Sequence, residues 1–279
     1  MFAFPGSYTL GVECLGGRKL VNRRFGRWVF YVVACCFATA VFSVATAQSF
    51  VAKYGQTKSA QYETLQNQLR QAKFLEQLSD AFSQGVIFQD QLVLGTAECG
   101  TENAFYTAQH KAIVLCLELL AQVTKGIHRD FASIATHDEM NQAIAGAVVF
   151  VLMHELGHAL IDLLQLPVLG REEDAADQIG AFFLLNANGA QNTLPGALWF
   201  FRSKTLFYTR RHFSDEHSLG PQRQSNLACW AYGKDQAHFN HLLLGSYLTK
   251  ERAARCSKEY EQLDSSVRRL LAGKVQLPS

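Results

Sequence analysis

Five consecutive residues, His154-Glu155-Leu156-Gly157-His158, combine two imidazoles and a carboxylate at a spacing that can bind a metal ion and use it. On an α-helix, positions four apart share one face one turn apart, so both imidazoles can reach one zinc ion. Glu155 is adjacent to the first imidazole and can reach a water on the open side of such a metal. With nine histidines in 279 residues, chance would place a His-Glu-x-x-His in about one or two of every hundred such sequences. The bland alternative is two polar residues on a core helix. The surroundings argue against it, because Met140–Leu166 is otherwise almost wholly apolar. Buried imidazoles and a buried carboxylate need partners, and a cation supplies one.

A third ligand must come from an element that returns to the same face. After Pro167-Val168-Leu169-Gly170, the segment Arg171-Glu172-Glu173-Asp174-Ala175-Ala176-Asp177 opens a new helix. An antiparallel helix pair would carry its first turns back to the histidines. Glu173 is chosen as third ligand because Asp177 then lies four residues on, able to accept a hydrogen bond from a metal-bound histidine and fix its tautomer. Glu172 is the competing choice and Asp174 a third. A solvated acidic face would explain the charges, but not the Ala175-Ala176 spacing or the apolar Ile179, Phe182 and Phe183 that follow.

Around this helix pair the chain reads as an α+β, zincin-like domain: a small N-terminal β-sheet followed by a mainly helical region. Residues 48–83 are polar, with Leu65, Leu69, Phe74, Leu75 and Leu78 at near-helical spacing, and predict an amphipathic helix. Val86–Phe88 with Leu92–Leu94, and later Ala112–Leu115, predict strands; Gly95, Gly100 and Asn103 punctuate a turn region between them. A helix is expected through Leu117–Val123, one long apolar helix over Met140–Leu166 and another over Arg171–Asn186. Several more helical segments follow, broken at Gly189, Pro195, Gly220-Pro221 and Gly233.

Composition narrows the function classes. Hydrophobic residues make up 48% and charged residues 18%, which suits a packed core. A net charge of +2, with no phosphate-cradling glycine loop and no basic stripe, argues against nucleic acid as a partner. Arg23, Arg24 and Arg27 precede an uncharged, mostly apolar run from Trp28 to Ala45, which ends in Ala45-Thr46-Ala47 before Gln48. This is the pattern of a secretory signal, so residues 1–47 are expected to be a signal peptide and 48–279 a single domain, periplasmic or secreted. The competing reading is an uncleaved membrane anchor over 28–47, the chain's one expected membrane contact. A translation start near residue 21 would leave a leader of ordinary length. Beyond the leader lie Cys99, Cys116, Cys229 and Cys256. Export would permit two disulfides among them. Pairing Cys99 with Cys116 and Cys229 with Cys256 closes the shortest loops; four free thiols are the alternative.

His154-Glu155-x-x-His158 followed by Glu173-x-x-x-Asp177 resembles the gluzincin metallopeptidases, the group that includes thermolysin. The chain is more closely similar to a bacterial family of metallopeptidases catalogued as a domain of unknown function. That similarity extends to Cys99-Gly100 with Asn103–Tyr106, to Leu115–Leu120, and to Asp215–Leu219 with Gln222-Arg223, Asn226 and Cys229. It covers most of residues 55–270. The resemblance implies one Zn²⁺ held by His154, His158 and Glu173, a fourth position left for water, and Glu155 as general base. A peptide or protein is the implied substrate. Gluzincins add a His or Tyr that stabilises the oxyanion; His217, beside Asp215 and Glu216, is the candidate taken, with Arg223 and Tyr106 behind it. For each of these a structural hydrogen bond is the competing role. The remaining six histidines read as surface or packing residues. The separation of Glu173 from His158 is shorter than in thermolysin, which demands a tight connection between the two helices.

Two other readings compete. The apolar stretch 142–166 around the motif fits an intramembrane protease, but no second apolar span carries an Asp-bearing Leu-Asp-Gly motif, and the acidic helix follows too closely. The same ligands could instead hold a structural zinc in a secreted scaffold. Structural sites are closed by four protein ligands, and no fourth lies near 154–177 in sequence.

Overall fold

A computed structural model describes residues 49–87, 90–187, 189–203, 208–244, 247–275 and 277. The expected signal segment, 1–47, lies outside the described residues. Four strands form one sheet: β1 (Phe50–Tyr54), β2 (Leu92–Ala97), β3 (Ala104–Thr107) and β4 (Ala112–Cys116), in the order β1-β2-β4-β3. β1 and β4 both run parallel to β2, from Phe50 opposite Leu92 and from Ala112 opposite Val93. Parallel neighbours require a crossover, and α1 (Ala60–Gln71) and α2 (Phe74–Gly85) make the one from β1 to β2. β3 is antiparallel to β4 and lies at the sheet edge. The two are joined by a 3₁₀ turn over Ala108–His110 and by Lys111 in the left-handed region at φ 43°.

Several expectations about this half are corrected. Residues 48–83 are not one amphipathic helix: they begin with β1 and divide at Lys73, itself left-handed at φ 50°. Gly95 is not in a turn but inside β2, against the Lys53 carbonyl of β1, where the missing side chain allows the strands to pair. Val86 ends α2 and Ile87 forms an isolated bridge; Phe88 lies outside the described residues. β3 was unforeseen.

The helical half follows the sequence more closely. α3 (Leu117–Phe131) leads to α4 (His137–Leu163), which starts at a reciprocal cap: the Glu139 carboxylate accepts from the Thr136 N–H, and the Glu139 N–H donates to the Thr136 hydroxyl. Beyond its polar first turns α4 is apolar nearly all round from Ala143, and so it is buried, as a helix without a polar face must be. It is long and apolar enough to cross a membrane, yet 83% of its most apolar 18-residue stretch is covered by the protein. It ends where Gln165 turns left-handed at φ 49°, two residues before Pro167.

The chain then reverses into α5 (Glu172–Asn186), followed by α6 (Ala190–Ser203), α7 (Arg210–Phe213), α8 (Gly220–Lys234), α9 (His241–Leu244) and α10 (Lys250–Leu271). Pro195 does not break a helix but lies inside α6, whereas α8 ends one residue after Gly233. One core joins Leu94 and Leu115 of the sheet to Phe150 and Leu156 of α4, Phe182 of α5 and Phe201 of α6. Disulfides link Cys99 to Cys116 and Cys229 to Cys256, the short-loop pairing. Two such bonds are what an oxidising compartment permits.

Candidate metal centre

The site grows from the crossing of α4 and α5. A Cβ on Gly157 would lie 2.8 Å from the Ala176 Cα, and one on Gly180 would lie 3.0 Å from the backbone nitrogen of His154. Only glycine at these two positions lets the helix backbones approach so closely. The approach sets the first turn of α5 against the histidine face of α4. His154 and Glu155 are buried, and His158 and Glu173 nearly so.

Three side chains bring four donor atoms together there. His154 Nε2 and His158 Nε2 are 3.2 Å apart. Glu173 Oε2 lies 3.1 Å from the first and Glu173 Oε1 lies 3.4 Å from the second. Tetrahedral ligands bound at 2.0–2.1 Å stand about 3.3 Å from one another, so these edges suit a small cation such as zinc. His217, from the segment between α7 and α8, brings a fourth side chain, its Nε2 lying 2.8 Å from Glu173 Oε2 and grouping with Glu173 and His154. The Glu173 Oε2 atom is buried and, although two imidazole nitrogens crowd it, no aligned hydrogen bond reaches it. Close but misaligned contacts are what neighbouring ligands of one ion make.

The far sides of the rings carry the second argument. His154 Nδ1 faces Asp177 Oδ1 at 2.9 Å, His158 Nδ1 faces Glu172 Oε1 at 2.9 Å and His217 Nδ1 faces Asp215 Oδ1 at 3.1 Å. Each carboxylate favours a proton on Nδ1 and leaves Nε2 as a lone pair aimed inward, the arrangement found behind metal-ligating histidines. Without a cation the cluster must hold extra protons. Burial disfavours charge on His158, but Glu173 and Glu172 outweigh it and hold its pKa up at about 9. Burial likewise opposes charge on Glu173, yet the three imidazoles hold its carboxyl far below the ordinary range.

The other sequence candidates fall into distinct roles. Glu155 accepts the backbone N–H of Tyr106 on β3 at 2.8 Å, and burial pushes its carboxyl up despite the neighbouring histidines. Arg223, on α8, is engaged with Asp177 through two 2.7 Å hydrogen bonds and so fixes the carboxylate behind His154. The Tyr106 hydroxyl donates to Asp162 at 2.8 Å and ties β3 to α4, so the structure assigns it the structural bond. Glu172, the competing third ligand, instead backs His158. Sequence reasoning missed Asp162, the Tyr106 N–H and the part played by Asp215. The β-favouring run Phe105-Tyr106-Thr107, after Gly100 and Asn103, was the available sign of β3. None of the remaining six histidines is buried.

A cleft of ≈ 570 Å³ opens over these groups. Its wall includes Asn103–Tyr106, the floor residues Leu119, Phe150, Val151 and Phe200, and the charged side chains of Arg171 and Glu216. Comparison with protein families matches residues 54–271 to a family described as "Putative metallopeptidase". No curated protein and no solved structure gives a match.

Proposed function

Because the chain belongs to this metallopeptidase family, we propose that it is a zincin-type, zinc-dependent endopeptidase acting on peptides or proteins. His154, His158 and Glu173 hold the ion, and Glu155 is the general base. The observation that carries this reading is the convergence of two carboxylate-backed imidazoles and Glu173 at 3.1–3.4 Å beside a buried glutamate in an open cleft. Zinc bound there would polarise a carbonyl and acidify water.

The protein groups do the rest. Glu155, oriented by the Tyr106 N–H, takes a proton from the attacking water and delivers it to the leaving amine. Burial, which raises its pKa, makes it ready to do both. The apolar floor of the cleft, Leu119, Phe150, Val151 and Phe200, offers a recess for an uncharged side chain beside the scissile bond. His217, which lines the cleft, is the group we take to stabilise a developing oxyanion. We assign the domain to residues 48–279, exported behind a signal segment at 1–47; the two disulfides support an oxidising destination.

The test is Glu155→Gln. Bound zinc, measured by elemental analysis, should stay stoichiometric while cleavage of a peptide library falls by about 10²- to 10⁴-fold. Undiminished cleavage by the variant would remove Glu155 as base. One observation favours a second reading, a closed structural zinc in a scaffold: His217 approaches as a third nitrogen and a fourth candidate ligand. Its side chain, however, is 40% exposed against 6% for His154, so this fourth position is the one that can open.

A further inference from the structure

The segment between α7 and α8 follows the first turns of α5 residue by residue. Ser218 Oγ donates to Asp174 at 2.7 Å, His217 Nε2 sits 2.8 Å from Glu173, and Arg223, at the start of α8, forks onto Asp177. His217 itself is set by Asp215, whose Oδ1 accepts from the His217 backbone N–H at 2.9 Å and faces its Nδ1 at 3.1 Å. That double grip favours the tautomer with the proton on Nδ1. The Nε2 atom then presents a lone pair to the Glu173 carboxylate, a repulsive contact at 2.8 Å unless a cation lies between them. The same Glu173 oxygen is the one that accepts no aligned hydrogen bond. His154, Glu173 and His217 offer ligand atoms that all lie within 4.8 Å of one another.

Residues 214–216 are exposed, unlike α4 and α5, whose ligands are held by buried helix contacts. We propose that His217 is a fourth protein ligand in the resting protein, carried on a displaceable strap over residues 214–219. The metal centre is closed at rest, and it opens when a ligand carrying an oxygen or nitrogen donor, such as a substrate carbonyl, takes the place of His217. The proposal rests on the metal-site reading above and extends it: one imidazole turns a closed, four-ligand site into an open, three-ligand one. It also accounts for a catalytic base standing next to a site that has four candidate protein ligands.

The experiment uses the full chain loaded with zinc or Co²⁺, with metal affinity read by chelator competition and geometry by the Co²⁺ visible spectrum. His217→Ala should weaken metal binding by about 10- to 100-fold and alter the Co²⁺ bands. Azide, a small probe anion, should perturb the spectrum of the variant at concentrations that leave the wild type unchanged. Asp215→Asn, which leaves the imidazole in place but loosens its grip, should give a smaller weakening in the same direction. Circular dichroism and the unfolding temperature of the metal-free proteins show whether either variant has lost its fold. Unchanged affinity and spectrum in a folded His217→Ala protein would overturn the proposal, as would equal azide uptake by wild type and variant. The peptidase reading fails separately. A His217-dependent spectrum in a protein that cleaves no peptide upholds the ligand and ends that reading, whereas cleavage with affinity indifferent to His217 ends the ligand alone.

Discussion

Replacing Gly157 with alanine tests whether the helix crossing builds the metal centre. The new Cβ would stand 2.8 Å from the Ala176 Cα and 2.9 Å from the Ala176 carbonyl oxygen, both backbone atoms that cannot rotate away. Restoring ordinary contact requires α5 to move by about 0.6 Å. Glu173 lies one turn before Ala176 on the same helix and moves with it. Metal sites tolerate about 0.2 Å in ligand distance, so the displacement exceeds the tolerance about threefold. Two terms oppose each other in stability: alanine is the better helix former by about 0.8–1 kcal/mol, and overpacking costs about 1–3 kcal/mol. Their difference is about 0–2 kcal/mol, a fall in unfolding temperature of at most about 8 °C for a domain of this size. The folded protein should therefore survive while zinc affinity drops by about tenfold or more, as calorimetry of the metal-free and metal-titrated variant would show. Wild-type zinc affinity in a folded Gly157→Ala protein would refute the idea that this crossing sets the position of Glu173.

Three other outcomes follow from the contacts around the site. Arg223→Met should destabilise by about 3–5 kcal/mol, because Asp177 is only 5% exposed and loses both guanidinium hydrogen bonds; urea unfolding measures this, and a loss below 1 kcal/mol would mean that Asp177 does not depend on Arg223. Adding Asp177→Asn to that variant should recover part of the loss, since the uncompensated charge is gone. Replacing Cys229 and Cys256 together with alanine opens a closure of 27 residues between α8 and α10, which the chain-entropy model values at about 3.5 kcal/mol; a variant as stable as the oxidised wild type would contradict it. Tyr106→Phe removes the bond to Asp162 and should cost about 0.5–1.5 kcal/mol with bound zinc unchanged; loss of zinc would place Tyr106 nearer to the metal than its geometry allows.

What the sequence made legible was what repeats at short range. The long apolar run and Pro167 are enough to place α4, though its first turn, marked by Thr136 and Glu139, went unread, and spacing by four is enough to align His154 with His158. The pairing of α4 with α5 was readable because the connection between them is too short for another topology. The sheet was harder. β1 is five residues, FVAKY, at the head of a polar stretch, and its parallel pairing with β2 is fixed across some forty residues of intervening chain. β3 has four residues and a single neighbour. Such strands exist because of partners distant in sequence, and propensity carries no record of those partners. The same limit explains the site residues that were missed. Asp215 behind His217, and the backbone N–H of Tyr106 on Glu155, are juxtapositions made by the fold. Gly157 and Gly180 were visible as letters, but their use as a crossing point requires both helices at once.

Charge favours a metal centre over a mere polar cluster. Glu155, Glu172, Glu173, Asp174, Asp177 and Asp215 are all set around one crossing, and the permanent cations beside them include Arg223 on Asp177 and Arg171 at the cleft wall. The amino end of α5 favours its first-turn carboxylates, but by no more than about 1 kcal/mol each near the surface. That is too little to hold Glu173 ionised with its Oε2 out of solvent and without an aligned donor. The deficit must be met by protons on the imidazoles or by a cation among the Nε2 atoms. Protons would seek straight hydrogen bonds to Glu173 Oε2. The imidazole contacts to that oxygen are close and crooked, and every Nδ1 already faces a carboxylate. A divalent cation meets both conditions at once, because it asks its ligands to point at a common centre and not at each other.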